Sequence, residues 1–218
     1  MNAPAGSRPA GRPVVAVVDY GAGNLVSIAQ ALTVVGADVR VARGPADLEA
    51  ADALVVPGVG AAAPAMRRLT RSRLLGPVSA WLAADRPFLG ICLGLQLLFE
   101  TSDEDGARML AHLPGRVERL RDAPTLPHIG WNQVELRCAH PLFDGIASGS
   151  DLYFVHSFAA RPSGPRSEGR VLGETLHGTP FVSAVAAGRT LGVQFHPERS
   201  GATGLRLLAN FVAMADGN

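Results

Sequence analysis

The spacing of apolar and polar positions divides the chain into two parts of different character. VVAVVDY (14–20) is an unbroken, mostly β-branched run, the pattern of a strand buried on both faces. After GAGN, one helical stripe carries Leu25, Ile28, Leu32 and Val35, and Gly36 suits the position just past the helix end. Further strands are predicted at DVRVA (38–42), ALVVPG (53–58) and PFLGI (87–91). Helices are predicted near 61–70 and 74–84, and LGLQLLFE (93–100) opens as a helix. Such alternation implies a parallel sheet covered on both faces. The second part consists mostly of strands joined by short Gly/Pro turns: RVERL, WNQVEL, DLYFVHSFAA, RVLGETL, TPFVSAVAA and TLGVQF. It implies an antiparallel section in a mixed sheet. Thr203 can cap a final helix that turns Leu205, Leu208 and Val212 inward. There is no internal repeat and no obvious linker. The expectation is therefore one α/β domain over residues 14–218, an open, mixed, mostly parallel sheet with helices on both faces. Residues 1–13, rich in Pro, Gly and Ala and lacking an apolar h-region, read as a flexible tail rather than a signal peptide.

Composition narrows the function classes. Apolar residues make up 47% of the chain and charged ones 18%, enough to bury a large core. The formal net charge is +1, without a dense Lys/Arg run, so no electrostatic argument points to nucleic acid or to an anionic membrane. The longest nearly apolar stretch, FLGICLGLQLLF (88–99), is too short to span a bilayer and contains Gln96. Two cysteines, Cys92 and Cys138, are too few for a disulfide scaffold, and a reducing cytoplasm is the expected compartment.

GICLG (90–94) is the sharpest local signal. A cysteine flanked at two residues on each side by glycine, directly after a strand and before a helix, follows the logic of a nucleophile elbow with sulfur in place of oxygen. The helix N-terminus favours the reactive thiolate, and the Leu93 amide can point at a developing oxyanion. A buried structural cysteine at a strand end is the competing reading.

QFHPE (194–198) supplies a second constellation. His196 follows a strand, Pro197 stiffens the turn, and Glu198 lies two residues on, where an extended segment projects to the same side. A carboxylate there can hold the imidazole tautomer while the other ring nitrogen faces the thiol. Alone, HPE is equally an ordinary solvated turn. Together with GICLG it provides the nucleophile, base and orienting acid of acyl transfer. A cysteine peptidase or esterase, or a binding module that has lost activity, uses the same parts. Cys92, His196 and Glu198 lack zinc-type ligand spacing, so neither a metal nor another cofactor is expected.

GICLG followed by Gln96, with QFHPE far downstream, resembles the class I glutamine amidotransferases over nearly the whole chain after residue 13. DYGAGN (19–24), PGVG (57–60), PHIGWN (127–132), YFVHSF (153–158) and FHPERSG (195–201) together resemble one branch, the glutaminase subunits of imidazole glycerol phosphate synthases. Related glutaminases tend to carry a PGG-type loop. The resemblance implies a flavodoxin-like architecture and hydrolysis of L-glutamine through a γ-glutamyl thioester. Ammonia would pass to a (β/α)₈-barrel cyclase subunit in a heterodimer. It also implies that Cys92 is nucleophile, His196 base and Glu198 its orienter, with Val59 and Leu93 forming the oxyanion hole. Gly58, Gly60, Gln96, His156 and Ser157 would surround glutamine, and Asn24, Trp131 and Arg199 would face the partner. The residues also allow plainer roles: Asn24 as a helix cap, Trp131 as core, YFVHSF as an ordinary strand. Val59 is β-branched and resists positive φ, so the resting PGVG loop is expected to hold its amide away from the oxyanion. The chain departs from the family pattern at Ala62, Thr125, Phe158 and Arg199, around the pocket and interface rather than on the triad.

Overall fold

A computed structural model describes residues 11–21, 23–164 and 170–216. The expected N-terminal tail lies, up to position 10, outside the described residues. Strand β1 (Val14–Val18) is flanked by β2 (Asp38–Ala42) and β3 (Ala53–Gly58), and β4 (Phe88–Cys92) pairs with β3, all in parallel. On the far side of β4 lies β12 (Thr190–Val193), also parallel, with Val193 opposite Ile91. The sheet then turns antiparallel through β11 (Thr179–Ala187), β10 (Val171–His177), β7 (His128–Leu136) and β8 (Ser150–His156). Its order is β2-β1-β3-β4-β12-β11-β10-β7-β8. A smaller sheet joins β5 (Thr101–Ser102), β6 (Gly115–Arg119) and β9 (Phe158–Pro162).

The continuous apolar run of β1 has the double burial its pattern predicts. Val15 and Val17 enter one core, with Ile28 and Leu32 of α1 (Leu25–Val34) and Leu207 and Phe211 of α5 (Gly201–Ala215). Val14, Ala16 and Val18 enter the other, with Leu69 of α2 (Ala62–Arg71) and Trp81 of α3 (Leu75–Ala83). Each face of the sheet thus removes its own set of helices from water, which is the main driving force for this layering. Asn24 caps α1 by accepting from the Ser27 amide at 3.2 Å, and Gly36, at φ +100, follows the C-cap Val35.

One local expectation is met only over its first residues, and two need correction. The helix after the elbow, α4, is only Leu93–Gln96. The chain then winds through tight turns that tie Leu97, Phe99 and Glu100 to the Leu110, Ala111 and Met109 amides. DLYFVHSFAA is not one strand: it breaks at Ser157, so that β8 stays in the large sheet and β9 enters the small one. Thr203 does not cap α5, which begins at Gly201 with Ser200 at the cap position. The helix face turned inward is Gly204, Leu207, Leu208, Phe211 and Val212, while Leu205 is only partly buried. Packing sets that register: a side chain at Gly204 would collide with the Pro197 carbonyl, so α5 sits directly on the HPE turn.

Candidate active site

Four strand ends converge at one edge of the parallel section, the carboxyl edge where ligands bind in open α/β sheets. β4 ends in Cys92, which has φ 54 and ψ −108, a conformation costly for a residue with a side chain. The flanking glycines explain how the strand turns so abruptly into α4. A Cβ on Gly90 would lie 2.5 Å from the Gly94 carbonyl oxygen, and one on Gly94 would fall on the Val56 carbonyl of β3. Backbone thus touches backbone twice around the cysteine, and only glycine fits at both points. The Cys92 thiol is buried. It accepts from Gln194 Nε2 at 3.5 Å and points weakly at the Val155 carbonyl at 3.9 Å.

The parallel pairing of β12 with β4 carries the chain on to His196 beside this elbow. The segment is pinned at both ends. The His196 amide donates to the Tyr153 carbonyl at 2.8 Å, and the Ser200 hydroxyl donates to the His196 carbonyl at 2.6 Å while accepting from the Tyr153 amide. His196 Nδ1 meets Glu198 Oε1 at 2.8 Å. A carboxylate oxygen accepts, so Nδ1 carries a proton, and Nε2 is the ring nitrogen left to exchange one with the thiol. That Nε2 is buried and has no hydrogen-bond partner among the described residues. Burial opposes a charged imidazole, but the Cys92 thiol and the Glu198 carboxylate outweigh it and raise the His196 pKa to about 10. Because Nε2 and Sγ do not meet in hydrogen-bonding geometry, the direction of that shift rests most firmly on Glu198.

A pocket of about 220 Å³ opens in front of the thiol. Its walls include Val59, Gly60, Cys92, Leu93, Gln96 and the His156–Phe158 segment. Most of the residues expected around a substrate therefore share one cavity. Gly58 does not line it. Its place is structural, since the buried Tyr20 hydroxyl occupies the space a side chain there would need. The loop turn after β3 is made by Gly60, at φ +92, and Val59 keeps out of the positive-φ region, as expected of a β-branched residue. Ser157 is the residue at which the chain changes sheets, and Gln96 donates to the Phe158 carbonyl just beyond it at 2.8 Å.

The expected interface residues lie apart from the pocket. Asn24 is exposed at the start of α1, and its carboxamide oxygen is engaged in the cap. Trp131 is 57% exposed on β7 rather than core, with Ile129 and Leu176 exposed near it. Arg199 is exposed and stacks its guanidinium over Tyr153, 4.0 Å from the ring centroid. Gln194 escaped the sequence reading although it stands in QFHPE. Two residues before His196 on an extended segment, it projects to the same side, which is the signal that could have found it. It bridges Cys92 and Gln96, accepting from Gln96 Nε2 at 3.1 Å.

The sequence profile of the family "Glutamine amidotransferase class-I" matches residues 16–215. The chain belongs to the class I glutamine amidotransferases. Within this family it is 42% identical to the imidazole glycerol phosphate synthase subunit HisH of Dehalococcoides mccartyi, covering 94% of the present chain and 99% of that one. It is 46% identical to the HisH of Thermosynechococcus vestitus, over 93% and 97% of the two chains. Among solved structures, a glutamine amidotransferase superposes with a TM-score of 0.73 at 22% identity, over 92% of this chain and 98% of that one, which establishes a shared amidotransferase fold. Among the described residues, no helix is long and apolar enough to cross a membrane.

Proposed function

We propose that this amidotransferase is the glutaminase subunit of an imidazole glycerol phosphate synthase. It hydrolyses L-glutamine in the cytoplasm and passes the ammonia to a (β/α)₈-barrel cyclase subunit for imidazole ring formation in histidine biosynthesis. Cys92 on its elbow, beside a His196 oriented by Glu198, is the observation that supports glutamine hydrolysis. The identity with HisH subunits over nearly their full length supports the choice of synthase.

In this reading glutamine enters the pocket bounded by Gly60, Gln96, His156 and Ser157, with Gly58 holding the loop behind it. The Cys92 sulfur attacks the side-chain carboxamide carbon, and its proton resides on His196. The oxyanion that forms takes hydrogen bonds from the Leu93 amide and, once the loop is turned, from the Val59 amide. His196 then gives its proton to the amine nitrogen as the C–N bond breaks, which releases ammonia and leaves a γ-glutamyl thioester on Cys92. A water molecule, deprotonated by the same imidazole, adds to the thioester. Its collapse expels the thiolate and frees glutamate, and the proton returns to the Cys92–His196 pair. Apart from glutamine and water, the steps use protein groups alone, with no cofactor. Asn24, Trp131 and Arg199 lie on the surface that meets the cyclase, where an exposed tryptophan with Ile129 and Leu176 exposed near it suits a docking contact.

The test is glutamine-dependent synthesis by the chain with its cyclase subunit. Cys92→Ala should lower it by roughly 10⁴-fold or more and leave synthesis from added ammonium salt unchanged. Normal glutamine use by the variant would refute the nucleophile. Release of ammonia from glutamine by the wild type with no stimulation of any cyclase would refute the synthase.

A further inference from the structure

Behind the pocket, three side chains that the mechanism above does not use as reacting groups form a hydrogen-bonded series with a single direction. Asn132 of β7 has its amide orientation fixed from two sides. Its Oδ1 accepts from the Gln133 amide at 2.8 Å, and its Nδ2 donates to the Leu176 carbonyl of β10 at 2.9 Å. The same Nδ2 lies 3.1 Å from His128 Nε2, so that ring nitrogen must accept. His128 is then a neutral imidazole with its proton on Nδ1, and Nδ1 lies 3.1 Å from His156 Nε2. The far end gives the same answer independently. His156 Nδ1 is 2.9 Å from the Phe158 carbonyl, which can only accept, so Nδ1 holds that proton and Nε2 is free to receive one from His128. The two ends agree, with one proton for each contact. An additional proton on either ring would set two donors face to face.

The surroundings favour the same state. His128 and His156 are buried, packed against each other and against Phe154 and Phe181, and His128 stacks on His177 at 4.0 Å. Burial is the main cause that holds the two imidazoles neutral. For His156 it outweighs the Phe158 carbonyl, which favours a proton. Neighbouring rings add to it, His177 for His128, and His128, His177 and His196 for His156. The pKa values of His128 and His156 fall to about 4 and about 3.

The series ends on an atom that matters to the site. The Phe158 carbonyl also accepts from Gln96 Nε2, and Gln96 passes to Gln194 and so to the Cys92 sulfur. We infer that Asn132 and His128 are positioning residues, which act through His156 on the Phe158 carbonyl and so fix Gln96 and the wall of the glutamine pocket. This rests on the glutaminase reading. It assigns that reaction two residues of the PHIGWN motif lying outside the pocket wall, with neutral imidazoles as a requirement.

The experiment compares wild type, His128→Phe, His128→Asn and Asn132→Leu in ammonia release from glutamine, each with the cyclase subunit. His128→Phe keeps an aromatic ring against His177 and Phe154 but leaves His156 Nε2 without its donor. It should raise KM for glutamine by roughly tenfold, with kcat within about threefold, because what is lost is binding shared by ground and transition states. His128→Asn retains both a donor and an acceptor and should recover most of the loss. Asn132→Leu, at a half-buried position and so less disruptive to folding, should shift KM in the same direction by a smaller factor. Nitrogen-15 imidazole spectra of the wild type at neutral pH should show both rings neutral with the proton on Nδ1, whatever the assay gives. Unchanged KM in both broken variants, an equal loss in His128→Asn, or any other tautomer would overturn the inference. A wild type that releases no ammonia from glutamine would overturn the proposed function instead, and the spectra would still report on the series.

Discussion

The parallel section of the sheet and its antiparallel extension solve the burial problem differently, and they serve the site differently. In the parallel section the inner strands β1, β3, β4 and β12 are covered on both faces and buried along their length, and only the edge strand β2 is partly open to solvent. Little there can move, and the site it supplies is made of fixed backbone: the elbow at Cys92, pressed between Gly90, Gly94 and Val56, and the pinned turn holding His196. The outer antiparallel strands alternate. β7 reads buried and exposed by turns, and β8 likewise. One face presents Trp131 and Ile129 to solvent while the other carries His128 and His156 toward the pocket. Cys92 is thus held by steric necessity, and the pocket wall by hydrogen bonds between side chains. Steric constraint fails only when volume changes, whereas a hydrogen-bonded wall also fails when protons do.

The sharpest way to break the first region is to add one methyl group. Gly94→Ala sets a Cβ onto the Val56 carbonyl and forces β3 and α4 apart. The expected cost is about 3 kcal/mol or more, a fall of roughly 10 °C in melting temperature, with glutamine hydrolysis lost as the elbow shifts. A variant of wild-type stability and activity would show that the elbow is looser than its contacts imply.

pH separates the two regions with smaller effects and opposite signs. His128 and His156 have folded pKa values near 4 and 3, below the usual 6.5. The unfolded chain therefore binds more protons in that window. Their contribution is present above about pH 6.5 and is lost as pH falls toward 4 and 3. His196 is the reverse: raised to about 10, its contribution is complete below about pH 6.5 and is lost as pH rises through 10. Urea midpoints should peak near neutral pH. Acid should first expose amides of β7 and β8 to hydrogen exchange, and alkali those around the 196–199 turn. Loss of β4 and β12 protection first in acid would contradict the division.

The same contrast decides how much could be read from the sequence. Strands β1, β3 and β4 and helix α1 were legible because double burial writes continuous apolar runs and single stripes, and β2 was legible from the alternation DVRVA of a half-covered edge strand. Cys92 was legible because only a pair of glycines permits its turn. The antiparallel strands were visible as strands, but the break at Ser157 was not, because YFVHSF alternates smoothly through it and the change of sheet is dictated by pairing with β6 far back in the chain. Ser200 rather than Thr203 begins α5 for a similar reason: the Gly204 contact with Pro197 fixes the helix on a turn, and no local periodicity encodes that. Gln194 and the Asn132–His128–His156 series depend on strands meeting across the fold, and a motif read one segment at a time leaves such meetings unseen.

In the proposed reaction Cys92 carries the γ-glutamyl group. The direct measurement is an acid quench of the chain turning over glutamine with its cyclase subunit, followed by peptide mass analysis. An adduct of glutamine less ammonia is expected on the peptide containing Cys92. None is expected on the peptide containing Cys138, an exposed cysteine on the loop before the short Pro141–Phe143 turn. An adduct on Cys138, or sustained turnover by a chain in which Cys92 is replaced by alanine, would contradict this role of Cys92.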